Sequence, residues 1–144
     1  MKISTKGRYA LRLMLDLALS NDGQPVSLRD VAKRQGISDK YLEQIVTSLS
    51  RAGLVRSVRG AGGGYLLTRD PGSYTVGEIL RPLEGSLAPV SCVDGSDCCD
   101  RVDHCVTVDV WRQIQEAVSS VVDHITLRDL VEQYHQKTQD QVNP

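Results

Sequence analysis

The sequence predicts a mainly α-helical chain with one small β-hairpin: a winged helix-turn-helix DNA-binding region followed by a long dimerisation helix. Three observations carry this. Two short helices joined by a glycine-containing turn lie within residues 27–53, a glycine-rich hairpin with an arginine near its tip spans residues 54–68, and apolar residues recur at three- and four-residue spacing from Trp111 to Ile125. With 144 residues, the chain can bury one modest core plus an appendage, and is too short for two independent domains.

From Thr5 to Ser20, Ala10, Leu13, Met14 and Leu17 recur at helical spacing, with Leu11, Leu15 and Leu19 on a second face, so this helix is largely buried. Ser27 and Asp30 then supply a capping-box-like start for a short helix that ends at Gly36. Ser38 is the next N-cap, and Leu42, Ile45, Val46 and Leu49 form the buried stripe of a helix stopped by Gly53. This pair is a helix-turn-helix. The stripe leaves Lys40, Glu43, Gln44 and Ser48 outside; Lys40, Gln44 and Ser48 can reach base edges or phosphates, with Ser38 and Tyr41 near the helix start where recognition helices touch bases.

Residues 54–58 alternate as a strand, and Tyr65 to Thr68 read as its return partner. Arg59, Gly60, Ala61 and three further glycines lie between them. Glycine permits positive φ and a close backbone approach to something outside, and Arg59 suits a narrow minor groove, so the hairpin is a wing. A nucleotide-binding loop would run from strand into helix and carry Lys-Ser/Thr, which this segment does not. After the turn at Asp70-Pro71-Gly72, Thr75 or Ser73 caps a helix that Pro82 ends or kinks. Residues 84–104 have little periodicity, and a loop of that length is usually functional.

Trp111, Ile114, Val118, Val121 and Ile125 then trace the seam of a coiled coil. Little else in the chain is available to cover that seam, so pairing with a second copy is expected, the alternative being packing on the first helix. Thr126 caps a last helix. The organisation is therefore a DNA-binding region at 1–70, a connecting helix and linker at 71–91, a cysteine-rich loop at 92–105, a dimerisation helix at 106–125, a C-terminal helix at 126–136 and a flexible tail at 137–144.

The net charge of −1 hides a division: residues 1–70 carry twelve Lys/Arg against six Asp/Glu, and residues 71–144 five against twelve. Nucleic acid is thus expected on the basic N-terminal half. The N-terminus has no apolar signal region and no stretch approaches the roughly 20 apolar residues of a membrane helix, so a cytoplasmic protein is expected.

All four cysteines, Cys92, Cys98, Cys99 and Cys105, fall in one loop. A disulfide scaffold would spread them, so clustering points to metal or redox chemistry. Structural zinc sites favour Cys-x-x-Cys pairs, which this loop lacks; thiolates on a loop suit an iron–sulfur cluster. Adjacent cysteines ligate one cluster poorly, which leaves Cys92, one of Cys98 and Cys99, and Cys105. A fourth ligand would come from His104, Asp103, Asp109 or a partner chain. The metal-free alternative is a thiol group that forms a disulfide on oxidation. Enzymatic thiol chemistry is not expected, because Asp94, Asp97, Asp100 and Asp103 should raise the thiol pKa values.

The opening Met1-Lys2-Ile3-Ser4-Thr5-Lys6-Gly7-Arg8-Tyr9-Ala10, the segment Gln35 to Gln44 and the segment Gly53 to Tyr65 resemble the family of winged-helix transcription regulators that includes IscR, NsrR and CymR. The resemblance runs from residue 1 to about 133. It implies a homodimer on a palindromic promoter site in double-stranded DNA, commonly a repressor, and in the IscR-like branch a [2Fe-2S]-type cluster controlling iron–sulfur biogenesis genes. It places Ser38, Tyr41, Glu43 and Gln44 on the recognition helix, and Arg59 with Gly60 on a wing that reads the minor groove. Glu43 can accept from a cytosine amino group. IscR-like members use three loop cysteines and a histidine three residues before the tryptophan, which here is Val108. Their last cysteine interval favours Cys99 over Cys98. NsrR-like members, which sense nitric oxide, borrow an acidic residue from the partner's first helix, which here is Arg8. His104 is then the first choice for fourth ligand. CymR-like members lack the loop cysteines and are controlled by a partner protein of cysteine synthesis.

Overall fold

The computed structural model describes residues 1–95 and 99–142. Among them are six α-helices and one antiparallel hairpin: α1 (Thr5–Leu19), α2 (Leu28–Gln35), α3 (Asp39–Arg51), β1 (Val55–Val58), β2 (Gly64–Leu67), α4 (Val76–Glu84), α5 (Val108–Val122) and α6 (Leu127–Val142). Short 3₁₀ turns at Pro71–Ser73, Ser91–Val93 and Val102–His104 punctuate the connections.

Every helix start except that of α5 has a capping side chain. Ser4, Ser27, Ser38 and Thr75 each accept an amide three residues on, and Thr126 and Asp129 exchange bonds reciprocally, at 2.9 and 3.1 Å. Gly36 closes α2 in the left-handed conformation at φ 65. Ile37, 8% exposed, anchors the turn into α3. One core then forms from Leu13, Met14 and Leu17 of α1, Leu42, Ile45 and Leu49 of α3, and Tyr74, Ile79 and Leu127.

Three features depart from the sequence reading. Helix α4 passes Pro82 and stops at Gly85, because a proline this near the end of a helix sacrifices one backbone bond at most. Helix α6 continues past residue 136 to Val142, into the stretch expected to be a flexible tail. Residues 136–141 contain neither glycine nor proline and three of them are glutamine, so nothing stops the helix. Third, the seam is partly covered within the chain: Val118, Val122 and Ile125 pack against a second cluster of Val76, Leu80 and Leu87. Arg81 grips Asp123 with two bonds of 2.6 and 2.9 Å, fixing α4 to the end of α5. That guanidinium holds the Asp123 carboxyl below its ordinary pKa. The rest of the seam stays open. Val121 is 53% exposed, and Ile114, Ala117, Val118 and Val121 line a nearly wholly apolar groove with Met1 and Ile3.

Candidate nucleic-acid interface and cysteine loop

Helix α3 buries Leu42, Ile45, Val46 and Leu49 and turns a polar row outward. Ser38, Lys40, Glu43 and Gln44 are exposed, and Ser48 is half-buried. Ser38 also caps the helix, its Oγ accepting the Tyr41 amide at 3.2 Å. Tyr41 is half-buried, with its ring edge-on to Tyr9 of α1 at 5.8 Å between centroids. The Arg12 guanidinium lies 5.3 Å over Tyr9, so the start of the recognition helix rests on an aromatic and cationic cluster from α1.

The wing pairs Val55 with Leu67 and Val58 with Gly64. Arg59 and Gly60 are exposed at its tip, where Gly60 has φ 101. The later glycines serve a different purpose from the expected approach to an outside molecule. A Cβ at Gly63 would stand 2.3 Å from the Val58 carbonyl oxygen, and one at Gly64 2.2 Å from that of Val26. They permit close packing of the chain on itself: Val26 and Tyr65 exchange two backbone bonds, of 3.0 and 2.8 Å, which join the wing to the entry of α2.

Two anchors escaped the sequence reading. Tyr74 is fully buried, and its hydroxyl accepts the Thr68 and Arg69 amides at 2.8 and 3.0 Å while donating to the Leu54 carbonyl at 2.8 Å. This one oxygen pins both strands of the wing at their base. Asp16, 4% exposed on the apolar face of α1, accepts from Arg34 Nε and Nη2 and from Gln35 Nε2 at 3.1, 2.7 and 3.0 Å. A charge among Leu13, Met14 and Leu17 is itself a signal that a partner must exist.

The cysteine loop lies against α5. Cys92 sits on the 3₁₀ turn Ser91–Val93 and shares a cleft with Arg112, Gln115 and Glu116, where Gln115 Oε1 is buried with no hydrogen-bond partner among the described residues. Cys105 precedes α5 and shares a second cleft with Asp103, His104, Asp109 and Arg112. Cys99 is exposed, and Cys98 lies outside the described residues. The expected rise in thiol pKa is reversed at Cys105. The Thr107 hydroxyl, 3.1 Å from Sγ, and the Val108 and Thr107 amides hold its pKa below the ordinary thiol value, against the opposing charge of Asp109. The loop aspartates were expected to dominate, but the Thr107 hydroxyl and the amides at the start of α5 outweigh the charge of Asp109. Among the described residues, no three His, Cys, Asp or Glu side chains converge on one point. In chemistry the donors fit a soft metal group: three accessible sulfurs, one with its thiol pKa lowered, in a loop whose Cys92 cleft also holds the Gln115 side chain.

A family profile described as "Rrf2: Iron-dependent Transcriptional regulator" matches residues 3–133. The chain belongs to the Rrf2 family. It is 45% identical over 131 residues to the HTH-type transcriptional regulator IscR of Klebsiella pneumoniae, covering 91% of this chain and 80% of that one. The structure of CymR, the global cysteine regulator of B. subtilis, superposes with a TM-score of 0.77 at 42% identity over 92% of this chain and 97% of CymR. T. potens IscR gives 0.75 at 43% identity, over 93% and 88%. These relatives are named transcriptional regulators and not enzymes, and the Rrf2 chain described above is a DNA-binding transcription regulator with the winged-helix fold they share. Among its described residues, no helix is long and apolar enough to cross a membrane.

Proposed function

We propose that this Rrf2 regulator is a homodimeric repressor that reads a palindromic promoter site and reports iron–sulfur or redox status through its loop cysteines. The observation that carries the DNA reading is the exposed row on α3 beside an arginine-tipped wing. In this reading Lys40, Gln44 and Ser48 face base edges or phosphates, Ser38 and Tyr41 act near the helix start, and Glu43 selects for cytosine. Arg59, with Gly60 giving room for the backbone, enters the minor groove. Pairing through the open apolar groove of α5 sets two recognition helices on half-sites about one helical turn apart.

Cys92, Cys99 and Cys105 would hold the cluster, with Cys98 as the alternative to Cys99 and His104, which borders the Cys105 cleft, as the fourth ligand. A [2Fe-2S]-type cluster supplies a redox-active centre whose loss or oxidation changes the charge at the loop. The loop's own residues carry the consequence: the Cys92 turn rests on Arg112 and Gln115 of α5, and Cys105 leads into the first turn of that helix. A shift of α5 by a few ångströms changes the spacing of the two DNA-reading units. The target genes that fit such a sensor are those of iron–sulfur cluster biogenesis.

Anaerobic purification, an absorption spectrum, and iron and sulfide counts test this on the wild type and on Cys98→Ala, Cys99→Ala and Cys105→Ala. We expect a coloured wild type, loss in Cys99→Ala and Cys105→Ala, and retention in Cys98→Ala. A full cluster in both Cys98→Ala and Cys99→Ala would refute the three-cysteine assignment. The likeness to CymR, together with the lack of a converged ligand set among the described residues, favours one other reading: a cofactor-free regulator of cysteine metabolism controlled by a partner protein. A colourless protein with no iron or sulfide would select it.

A further inference from the structure

Glu84 is the last residue of α4, and the glycine after it opens the cysteine-bearing loop. Its carboxylate reaches across to the start of α1, where Oε1 accepts the Ser4 amide at 3.0 Å and the Ser4 hydroxyl at 2.5 Å. The placement has an electrostatic reason. A carboxylate at the C-terminal end of its own helix is opposed by that helix's dipole, and at the N-terminal end of another it is favoured. Gly7 supplies the room. A Cβ there would stand 2.0 Å from Oε1, so any side chain at position 7 displaces the carboxylate. Gly85 follows at φ 74 and ψ −139, a conformation that favours glycine, which lets the chain leave α4 sharply.

The segment clamped in this way flanks the DNA-reading face. Lys2 and Arg8 are exposed and border an open groove with Ser4 and Thr5, and Tyr9, one turn further on, carries Tyr41 of the recognition helix at 5.8 Å. We infer that Glu84 is a positioning residue for DNA binding: it clamps the start of α1 so that Lys2, Arg8 and, through Tyr9, Tyr41 are presented from fixed places. Because the loop begins at the next residue, the clamp also joins the cysteine loop to the DNA-reading face. The inference rests on the chain's DNA binding and not on what group the cysteines hold.

The test compares wild type, Glu84→Ala, Glu84→Gln and Gly7→Ala on a mixed-sequence DNA duplex of about three helical turns, by fluorescence anisotropy across a range of salt. Charge alone predicts that removing a carboxylate beside a polyanion tightens binding. The clamp predicts the opposite for Glu84→Ala: binding weaker by about 3–10-fold, with a salt dependence shallower by about one counterion, because a cation that is no longer held in place contributes less. Glu84→Gln keeps an acceptor for Ser4 and loses the charge, so it binds at least as tightly as wild type. Gly7→Ala alters no charge and favours the helix, yet pushes the Glu84 carboxylate off its place on Ser4, and should weaken binding and flatten the slope in the same direction as Glu84→Ala. It also keeps the question decidable if Glu84→Ala does not fold. Glu84→Ala and Gly7→Ala proteins that bind as tightly as wild type, with the same slope, overturn the clamp. A wild type that fails to bind the duplex at low salt overturns DNA binding itself, and the clamp with it.

Discussion

Replacing Tyr74 with phenylalanine removes one oxygen from the fully buried ring that anchors the wing. Two of its three partner residues, Thr68, bonded through both its amide and its hydroxyl, and Arg69, are exposed and can turn to water. The third cannot. Leu54 is 3% exposed, and without the hydroxyl its carbonyl keeps only a long contact of 3.4 Å from the Thr68 amide. A net loss of about 1 kcal/mol for the exchanged bonds, plus about 1–2 kcal/mol for the stranded carbonyl, makes the cost about 2–3 kcal/mol. For a chain of this size that lowers the melting temperature by roughly 5–10 °C. Equilibrium urea unfolding at one fixed protein concentration measures it, since the stability of the proposed dimer would depend on concentration. The midpoint should fall with the slope unchanged. A change under about 0.5 kcal/mol would refute the reasoning, because it would mean that water reaches Leu54 despite the burial.

Other outcomes follow from the same contacts. Asp16→Ala strands the Gln35 amide and frees Arg34; because the Arg34 side chain is 47% exposed and can hydrate, the expected cost is about 1–3 kcal/mol, read by the same unfolding measurement. Val121→Asp changes a residue that is 53% exposed in the single chain, so it should leave the fold intact and convert the proposed dimer to monomer in sedimentation velocity. Unchanged sedimentation would mean that the groove is not the pairing face. Asp123, held down by Arg81, and Asp129, held down by the Thr126 amide, both have depressed pKa values in the folded chain. Their contribution is present above the unfolded carboxyl value and is lost as pH falls through the folded one, so stability should decline below about pH 4. Asp123→Asn should flatten that decline in acid titrations followed by circular dichroism.

Much of the fold was legible because local rules governed it. Ser27, Ser38 and Thr126 cap the helices that the sequence assigns to them, and Gly36 adopts the left-handed turn that ends α2. The apolar stripe of α3 lies buried at the four positions that its spacing predicts. The candidate DNA-reading residues were legible for the same reason: a stripe that faces the core dictates which side chains face out. The cysteine loop was legible only as composition. Its spacing identifies four thiols in one segment, and says nothing of the Thr107 hydroxyl and amides that favour a thiolate at Cys105.

By itself the sequence determined the starts of the capped helices, the wing, the basic half and the presence of a thiol-rich segment, because each depends on neighbours within a few residues. Tertiary structure alone decided what Tyr74, Asp16, Gly64 and Glu84 do. Their partners lie from 5 to 80 residues away in sequence, at Leu54 and Arg69, Arg34, Val26 and Ser4. A hydroxyl or carboxylate carries no mark of which distant amide it will meet, and a glycine does not show whether its missing side chain makes room for DNA or for the chain's own backbone. Only the packing of α1 against α2, α3 and α4 settles those pairings.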